Sequence, residues 1–291
     1  MLTIEIPWGP NITTVGGFLL TWHGLFAAVG ILIGVQIAMK LARATEVDED
    51  DLYTLALIAV PAGIVGARGL YVIENWDVAG GSLGQIIAIA EGGISVWGSL
   101  ITGVLCAAAF AVWRGYDVRG SLDVAAFGML PGLGIGRIGD LINGEHLATH
   151  TDLPWGVIYT DMESQGYGHQ FVQGAVHPAT TYEMIVLLAV TVVLVPVFFR
   201  WMYRYSGVTF MIAAGAYAAT RFVFTYVRVD SDPLIFDLVA PQILAVVTWL
   251  IVMPIAIYWL RQGPDEERPE PIPPPGRIPV VESAVPTARV T

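Results

Sequence analysis

The feature that most constrains this chain is a series of apolar runs, each about 20 residues long. A helix of that length crosses the hydrocarbon core of a bilayer, where only helices and closed barrels satisfy every backbone hydrogen bond. Only 13% of the residues are charged, whereas soluble globular proteins carry about 25%. The sequence therefore predicts an all-α, polytopic integral membrane protein. We place its seven transmembrane helices at residues 16–39, 52–73, 94–113, 122–142, 179–199, 207–227 and 237–260.

The basic residues orient these helices in the membrane. Ten of the 14 lysines and arginines follow odd-numbered helices or lie in the C-terminal tail: Lys40, Arg43, Arg114, Arg119, Arg200, Arg204, Arg261, Arg268, Arg277 and Arg289. Such an excess marks the cytoplasmic side, so we expect the N-terminus outside and the C-terminus in the cytoplasm. The other four lie within predicted helices or at their outer ends: Arg68, Arg137, Arg221 and Arg228. Charges at that depth are not topology signals and usually mark function.

The sequence predicts one membrane domain followed by a tail. Residues 1–262 hold the seven helices, and the 143–178 loop is long enough to form an external cap. Residues 263–291 are rich in proline and glutamate, so we expect a disordered cytoplasmic tail. Residues 1–14 lack the basic segment of a cleavable signal peptide, so the first apolar run should remain a transmembrane helix.

Composition also excludes or disfavours several kinds of site. The single cysteine, Cys106, excludes an intrachain disulfide and a cysteine metal cluster. Its apolar neighbours are typical of a packed, inert thiol. The histidines and acids show no metal-ligand spacing within the predicted helices, so we expect neither a metal nor a cofactor. The net charge of −11 gives no indication of nucleic-acid binding.

The most unusual stretch, residues 130–145, places an arginine, an aspartate and five glycines in an otherwise apolar helix. Arg137 and Asp140 are three residues apart and therefore share one face. Two interpretations stay open: a self-neutralising pair that only holds helices together, or an arginine fork that binds the phosphate of a lipid headgroup. The second is favoured because four guanidinium groups face few acids, and those acids need not all be within reach: Asp123, Asp140, Glu145 and Glu183.

Three other helices carry polar residues near the same end. Four residues of the sixth helix recur at spacings of 4, 4 and 3 and share one face: Tyr217, Arg221, Thr225 and Arg228. The plainer alternative for Arg228 is a side chain that snorkels to the interface. The fifth helix opens with His177 and Glu183, which either bind a ligand or only complement the helix dipole. His23 in the first helix is either a packing residue or a base.

Residues 134–145, Gly-Ile-Gly-Arg-Ile-Gly-Asp-Leu-Ile-Asn-Gly-Glu, resemble the signature of the prolipoprotein diacylglyceryl transferases. Each supporting segment is weak alone, but their common order and spacing over residues 16–260 are specific. These segments are 22–25 (Trp-His-Gly-Leu), 66–68 (Gly-Ala-Arg), 92–98 (Gly-Gly-Ile-Ser-Val-Trp-Gly), Asp123, 177–183 (His-Pro-Ala-Thr-Thr-Tyr-Glu), 221–222 (Arg-Phe), Arg228 and Gln242.

The resemblance implies a seven-helix enzyme of the bacterial inner membrane, and we expect it to be a monomer. Such enzymes transfer the diacylglyceryl group of phosphatidylglycerol to the lipobox cysteine of a preprolipoprotein signal peptide and release glycerol phosphate. By position, Arg137 and Arg221 match essential arginines of the family, and Tyr217 matches its sixth-helix tyrosine. With His23 as a base, these are the expected catalytic residues. The expected substrate-binding residues are Arg68, Asp140, Asn143, Glu145, Arg228, Asp123, His177 and Glu183.

Four positions depart from the family pattern. The family usually has histidine at Trp97, tyrosine at His23, asparagine at Asp140 and glutamate at Thr225. Three accounts stay open: a rewired site in which His23 replaces the missing histidine as base, a divergent paralogue with another lipid or acceptor, or a non-catalytic relative that binds a phospholipid headgroup. We favour lipid transfer, because the arginines are retained and a histidine stands at another position in the site.

Overall fold

The computed structural model describes residues 3–16, 18–42, 47–89 and 93–266. The predicted tail lies outside the described residues from residue 267 onward, so its disorder stays a prediction. In chain order the elements are β1 (Ile4–Ile6), β2 (Asn11–Val15), β3 (Phe18–Thr21), α1 (Trp22–Ala42), α2 (Glu49–Glu74), α3 (Trp76–Ala79), α4 (Leu83–Ile87), α5 (Val96–Arg114), α6 (Val118–Asn143), β4 (Val157–Tyr159), α7 (Gln165–Gln173), α8 (Ala179–Arg200), a 3-10 turn (Met202–Arg204), α9 (Val208–Thr225), β5 (Pro233–Ile235), β6 (Leu238–Val239) and α10 (Ala240–Arg261).

Among the described residues, seven helices are long and apolar enough to cross a membrane: α1, α2, α5, α6, α8, α9 and α10. The prediction of an all-α, polytopic membrane protein is confirmed, and the strands are short pairs of two to five residues. The orientation in the membrane stays a prediction. We call the membrane face where α1 and α8 begin and α6 and α9 end the site face.

The first span begins later than predicted. Residues 18–21 form β3 and pair with β2 as an antiparallel hairpin, so α1 starts at Trp22 rather than near residue 16. The prediction failed there because a short apolar run is equally compatible with a strand and with a helix. The consequence is that His23 lies in the first turn of α1, at the membrane edge.

The predicted cap over residues 143–178 contains two regular elements, β4 and α7. The N-terminal strand β1 runs parallel to β4, with Ile4 opposite Val157 and Ile6 opposite Tyr159. Residues far apart in the chain therefore build the structure on the site face. Burial raises the pKa of Tyr159, and its hydroxyl donates a hydrogen bond to the carbonyl of Leu141 at 3.0 Å, which ties the cap to α6.

The fourth span, α6, lies at the centre and packs against α1, α5, α8 and α9. Asp117 begins it by accepting hydrogen bonds from the amides of Arg119 and Gly120, and Gly144 ends it in the left-handed conformation with φ 72°. Its glycines allow α1 to approach closely. A Cβ on Gly34 of α1 would lie 2.5 Å from the carbonyl oxygen of Gly128, so this contact needs glycine.

We expect Gly34→Ala to destabilise the protein by about 1–3 kcal/mol, because the added methyl group forces α1 and α6 apart. Thermal unfolding in detergent should show a lower apparent Tm. Gly103→Ala is the matched control: Gly103 is also in a spanning helix, but nothing lies within 4 Å of its Cβ position. Equal Tm values for the two variants would contradict close packing at Gly34.

Candidate active site

Four helix ends meet at the site face and bring together charged side chains that are distant in sequence. Arg137 and Asp140 lie in the last turns of α6, Glu183 in the first turns of α8, and Arg221 near the end of α9. All four are buried, with the Glu183 side chain only 1% exposed. Buried charges are rarely tolerated unless they are paired, and each of these has an oppositely charged neighbour. We call Arg137, Asp140, Glu183, Arg221 and Arg228 the charged cluster.

Glu183 lies between three guanidinium groups. Arg221 donates from Nη1 to both carboxylate oxygens, at 2.8 and 3.1 Å. The Nε of Arg137 lies 2.8 Å from Oε2, and the Nη1 of Arg228 lies 3.8 Å from Oε1. Of the four acids named from the sequence, Asp140 and Glu183 therefore lie within reach of these arginines. Long-range packing brings Glu183 within reach of all three.

His23, Asp140 and Arg137 form a hydrogen-bonded chain. The Nδ1 of His23 is 2.6 Å from Oδ1 of Asp140, and Oδ2 of Asp140 accepts from Nη1 of Arg137 at 2.5 Å. Because Nδ1 donates to the carboxylate, the other ring nitrogen, Nε2, is left as the acceptor. A carboxylate that orients a histidine in this way is the arrangement of a general base. The His23 side chain is 33% exposed, so it can be reached from outside the protein.

Gly139 explains why α1 comes close enough for this contact. A Cβ at that position would lie 2.6 Å from the Cα of His23. The glycine spacing of the 130–145 stretch therefore serves helix approach, and the approach brings His23 to Asp140. The Arg137–Asp140 pair predicted from their spacing is present, but it is one part of a larger network.

His23, Asp140 and Glu145 each offer one metal-ligand atom, and these atoms lie within 4.8 Å of one another. As arranged, they do not fit a metal ion. Two ligands about 2.0–2.2 Å from a tetrahedral ion are roughly 3.3 Å apart, whereas His23 and Asp140 are 2.6 Å apart. Arg137 also holds the second oxygen of Asp140, so the geometry is that of hydrogen bonding.

Several buried polar atoms around the charged cluster make no hydrogen bond within the described residues. They are the hydroxyl of Tyr217, Nε of Arg221 and Nη1 of Arg228, and Nε of Arg137 is misaligned for one despite its ion pair with Glu183. Buried donors without partners are rare in folded proteins. Their concentration at one place indicates a site for an anionic or hydrogen-bond-accepting ligand.

Other predicted residues lie near the cluster in separate groups. The amide nitrogen of Asn143 donates to Oε1 of Glu145 at 2.8 Å, and Glu145 is 3.6 Å from His23. His177 contacts the hydroxyl of Tyr182 at 3.1 Å, and burial lowers the pKa of its ring. The roles of Asn143, Glu145 and His177 in substrate binding stay predictions.

Two predicted residues have clear structural roles. Asp123 lies 17 residues before Asp140 on α6, about 25 Å away along the helix. Its oxygens accept from the amides of Gly207 and Phe210 at 2.8 and 2.9 Å and cap the start of α9. Arg68 donates to the carbonyls of Ile86 and Gly93 at 3.0 and 2.8 Å, and also to that of Gln85. It thereby ties α4 and Gly93, which follows α4, to α2.

Two residues of the network were missed from the sequence, His146 and Asp230. The ring of His146 lies 3.4 Å from Nη1 of Arg137, and Asp230 pairs with Arg228 at 2.6 Å. Arg228 is not a snorkelling residue, because its side chain is only 4% exposed. Their positions in the sequence could have pointed to both residues. His146 directly follows the 134–145 motif, and Asp230 is two residues after Arg228.

Residues 10–259 match the sequence profile described as prolipoprotein diacylglyceryl transferase, which covers more than half of the chain. The chain belongs to this family. The resemblance predicted from the motifs is confirmed. Similar proteins named phosphatidylglycerol–prolipoprotein diacylglyceryl transferase occur in Gloeobacter violaceus, 31% identical over 90% of this chain and 96% of that protein; in Clostridioides difficile, 31% over 75% and 82%; and in Thermosynechococcus vestitus, 32% over 76% and 82%.

The four departures from the prolipoprotein diacylglyceryl transferase pattern all lie at this site. His23 and Asp140 contact each other directly. Trp97 packs edge-on against Tyr217, with ring centroids 5.6 Å apart. The hydroxyl of Thr225 donates to the carbonyl of Arg221 at 2.5 Å. Two of the departures thus create a histidine–carboxylate pair in a site whose usual histidine position holds Trp97.

Proposed function

We propose that this protein transfers the diacylglyceryl group of phosphatidylglycerol to the lipobox cysteine of a preprolipoprotein signal peptide. The cysteine sulfur attacks the carbon of the diacylglycerol unit that is bonded to the phosphate oxygen. A C–S bond forms, and the bond between that carbon and the phosphate oxygen breaks. Glycerol phosphate leaves with the electron pair, and the thiol proton passes to a base. The family and the names of the relatives support this chemistry.

The base in this proposal is His23. A thiol reacts as thiolate, so a proton acceptor is needed beside it. Asp140 holds the Nδ1–H of His23 at 2.6 Å and leaves Nε2 to accept the thiol proton. This favours a rewired site over a non-catalytic relative, because the histidine missing at Trp97 is replaced by one with its own orienting carboxylate.

The observation that carries the proposal is the set of unsatisfied donors around Glu183. The phosphate of phosphatidylglycerol is an anion that gains charge as glycerol phosphate leaves, and fixed donors stabilise such a transition state. Arg221 would bind the phosphate through its unsatisfied Nε, and Arg137 through an Nε that is misaligned for a hydrogen bond to Glu183, with Tyr217 and Arg228 beside them. Glu183 and Asp140 keep the guanidinium groups in place. Arg137 can therefore pair with Asp140 and also bind the phosphate of a lipid headgroup, so the two interpretations drawn from the sequence are compatible.

The test is a transfer assay with the purified protein in nanodiscs. Phosphatidylglycerol labelled in its headgroup glycerol and a lipobox peptide are supplied, and released glycerol phosphate and the mass of the peptide are measured. We expect labelled glycerol phosphate and a thioether-linked diacylglyceryl peptide. A peptide with serine in place of the lipobox cysteine should be inert. Binding of phosphatidylglycerol without transfer, and failure to complement a bacterium that lacks the transferase, would support a non-catalytic relative instead.

The location follows from the same proposal. The seven spans make this a multi-pass membrane protein. We propose that it is located in the bacterial plasma membrane. With the N-terminus outside, the site face lies at the outer leaflet. A preprolipoprotein signal peptide would meet the charged cluster there after export.

A further inference from the structure

Two segments outside the spanning helices pair with each other beside the charged cluster. The amide of Thr149 donates to the carbonyl of Val227 at 2.8 Å, and the amide of Val229 donates to that of Leu147 at 2.9 Å. Ala148 is opposite Arg228 in this antiparallel bridge. We call residues 146–149 and 227–230 the clip. Two residues beyond this bridge, on the same side as Ala148 and Arg228, His146 and Asp230 lie opposite each other, and their side chains are 3.1 Å apart.

The ring of His146 reaches from the clip to the charged cluster. Its Nδ1 lies 2.7 Å from Nη2 of Arg228 and 3.1 Å from Oδ2 of Asp230. Its Nε2 lies 3.4 Å from Nη1 of Arg137 and 3.9 Å from Oδ2 of Asp140. A neutral ring with its proton on Nδ1 donates to Asp230 and can accept from Arg137 at Nε2, whereas Asp140 is too far from Nε2 for a hydrogen bond. Burial, with Arg228 and Arg137 nearby, lowers the pKa of His146, so the neutral form is the one present at pH 7.

Asp230 holds Arg228 in a two-point contact. Its Oδ1 accepts from Nε at 3.1 Å, and its Oδ2 accepts from Nη2 at 2.6 Å. Burial alone would raise the pKa of Asp230, but the hydrogen bonds from His146 and Arg228 outweigh it and hold the pKa well below its usual range. The carboxylate therefore stays charged. This pairing leaves Nη1 of Arg228 buried, without a hydrogen bond, and 3.8 Å from Glu183.

We propose that His146 and Asp230 are positioning residues for the phosphate of the donor lipid. Together they direct Nη1 of Arg228 toward Glu183. The imidazole ring of His146 lies between the guanidinium groups of Arg137 and Arg228 and keeps them apart. The inference rests on the proposed function, because the ligand is the phosphate of phosphatidylglycerol. The backbone hydrogen bonds of the clip do not involve these side chains, so replacing either side chain should leave the clip in place.

The test compares steady-state constants of side-chain variants in the transfer assay. Asp230→Asn removes the charged partner of Arg228, and His146→Ala removes the ring. Losing one charge-assisted hydrogen bond corresponds to roughly a tenfold change, so we expect KM for phosphatidylglycerol to rise about tenfold while kcat stays within about threefold. His146→Asn keeps a polar group at the place of Nδ1 and should restore KM to within about threefold of the unmodified protein.

Asp232→Asn is the matched control. It makes the same charge change two residues further along the same exposed loop, and we expect KM to be unchanged. Three results would overturn the inference: an unchanged KM in Asp230→Asn and His146→Ala, a fall confined to kcat, or a His146→Asn variant as impaired as His146→Ala. Thermal unfolding of each variant identifies any that fail to fold.

A binding measurement separates this inference from the proposed function. Dissociation constants for phosphatidylglycerol are measured by native mass spectrometry with no acceptor peptide, and inorganic phosphate is tested in parallel. Weaker lipid binding by Asp230→Asn and His146→Ala, but not by Asp232→Asn, supports the inference even if the unmodified protein transfers nothing. Absence of transfer by the unmodified protein contradicts the proposed function alone. Lipid binding equal in all variants contradicts the positioning role.

Discussion

His23→Ala is expected to slow diacylglyceryl transfer by about 10²–10⁴-fold, the range supplied by a general base. The variant removes the nitrogen proposed to accept the thiol proton but leaves the charged cluster intact. Asp140→Asn should also lower kcat, because an amide can no longer hold His23 as the carboxylate does at 2.6 Å. His23→Ala should retain phosphatidylglycerol binding within about threefold, since the arginines that would bind its phosphate and the carboxylates that hold them remain.

A relocation experiment makes this prediction sharper. Trp97→His in the His23→Ala background restores a histidine at the position where the family usually has one, beside Tyr217. Partial recovery of kcat would show that a histidine at either position can serve as base. His150→Ala is the control and should leave turnover unchanged. His150 is exposed in the cap, where it is hydrogen-bonded to Gln173 and Asp152. Near-normal turnover by His23→Ala would remove His23 from the mechanism.

Arg137→Gln is expected to reduce transfer by about 10²–10³-fold, as removal of one fixed donor to a developing anion does in other enzymes. It should weaken phosphatidylglycerol binding as well, and Arg221→Gln should act in the same direction. Arg137→Lys keeps the charge but loses the planar fork, so we expect it to recover little activity. Arg200→Gln, at the exposed far end of α8, is the control and should leave transfer unchanged.

Stability must be separated from activity in this experiment. Breaking a buried ion pair costs about 3–5 kcal/mol, because the remaining charge is left uncompensated. Arg137→Gln leaves Asp140 and Glu183 short of a partner, so its Tm should fall. In the double variant Arg137→Gln with Glu183→Gln, one positive and one negative charge are removed together. We expect that variant to regain part of the lost Tm without regaining transfer. Unchanged lipid binding in Arg137→Gln would contradict a phosphate-binding role.

The arrangement of carboxylates and arginines explains how a largely neutral cluster can still bind an anion. Each of the three arginines donates to a carboxylate: Arg137 to Asp140, Arg221 to Glu183 and Arg228 to Asp230. Each also has at least one buried N–H without a hydrogen bond. The carboxylates therefore hold the guanidinium groups in fixed orientations. Fixed donors stabilise charge without reorganisation, which is what a departing phosphate requires.

Much of the architecture could be predicted from the sequence because membrane spans depend on local composition. Hydropathy over some 20 residues locates a helix without reference to the rest of the chain, and all seven spans were located in this way. Subtracting the arginines that set topology isolated Arg68, Arg137, Arg221 and Arg228, since charge within a span or at its end is costly wherever the helix packs. Three of the four lie in the charged cluster, whereas Arg68 binds backbone carbonyls elsewhere. The start of α1 was the error, because the β2–β3 hairpin depends on pairing between segments.

The sequence by itself determined the seven spans, the intramembrane arginines and the motif that resembles the family, all of which are local properties of short stretches. Only the tertiary structure decided that Glu183 lies between three arginines, that His23 meets Asp140, and that His146 opposes Asp230. These partners are between 38 and 117 residues apart in the chain. Their contacts depend on how helices pack and on the register of two loops, and no local pattern encodes either.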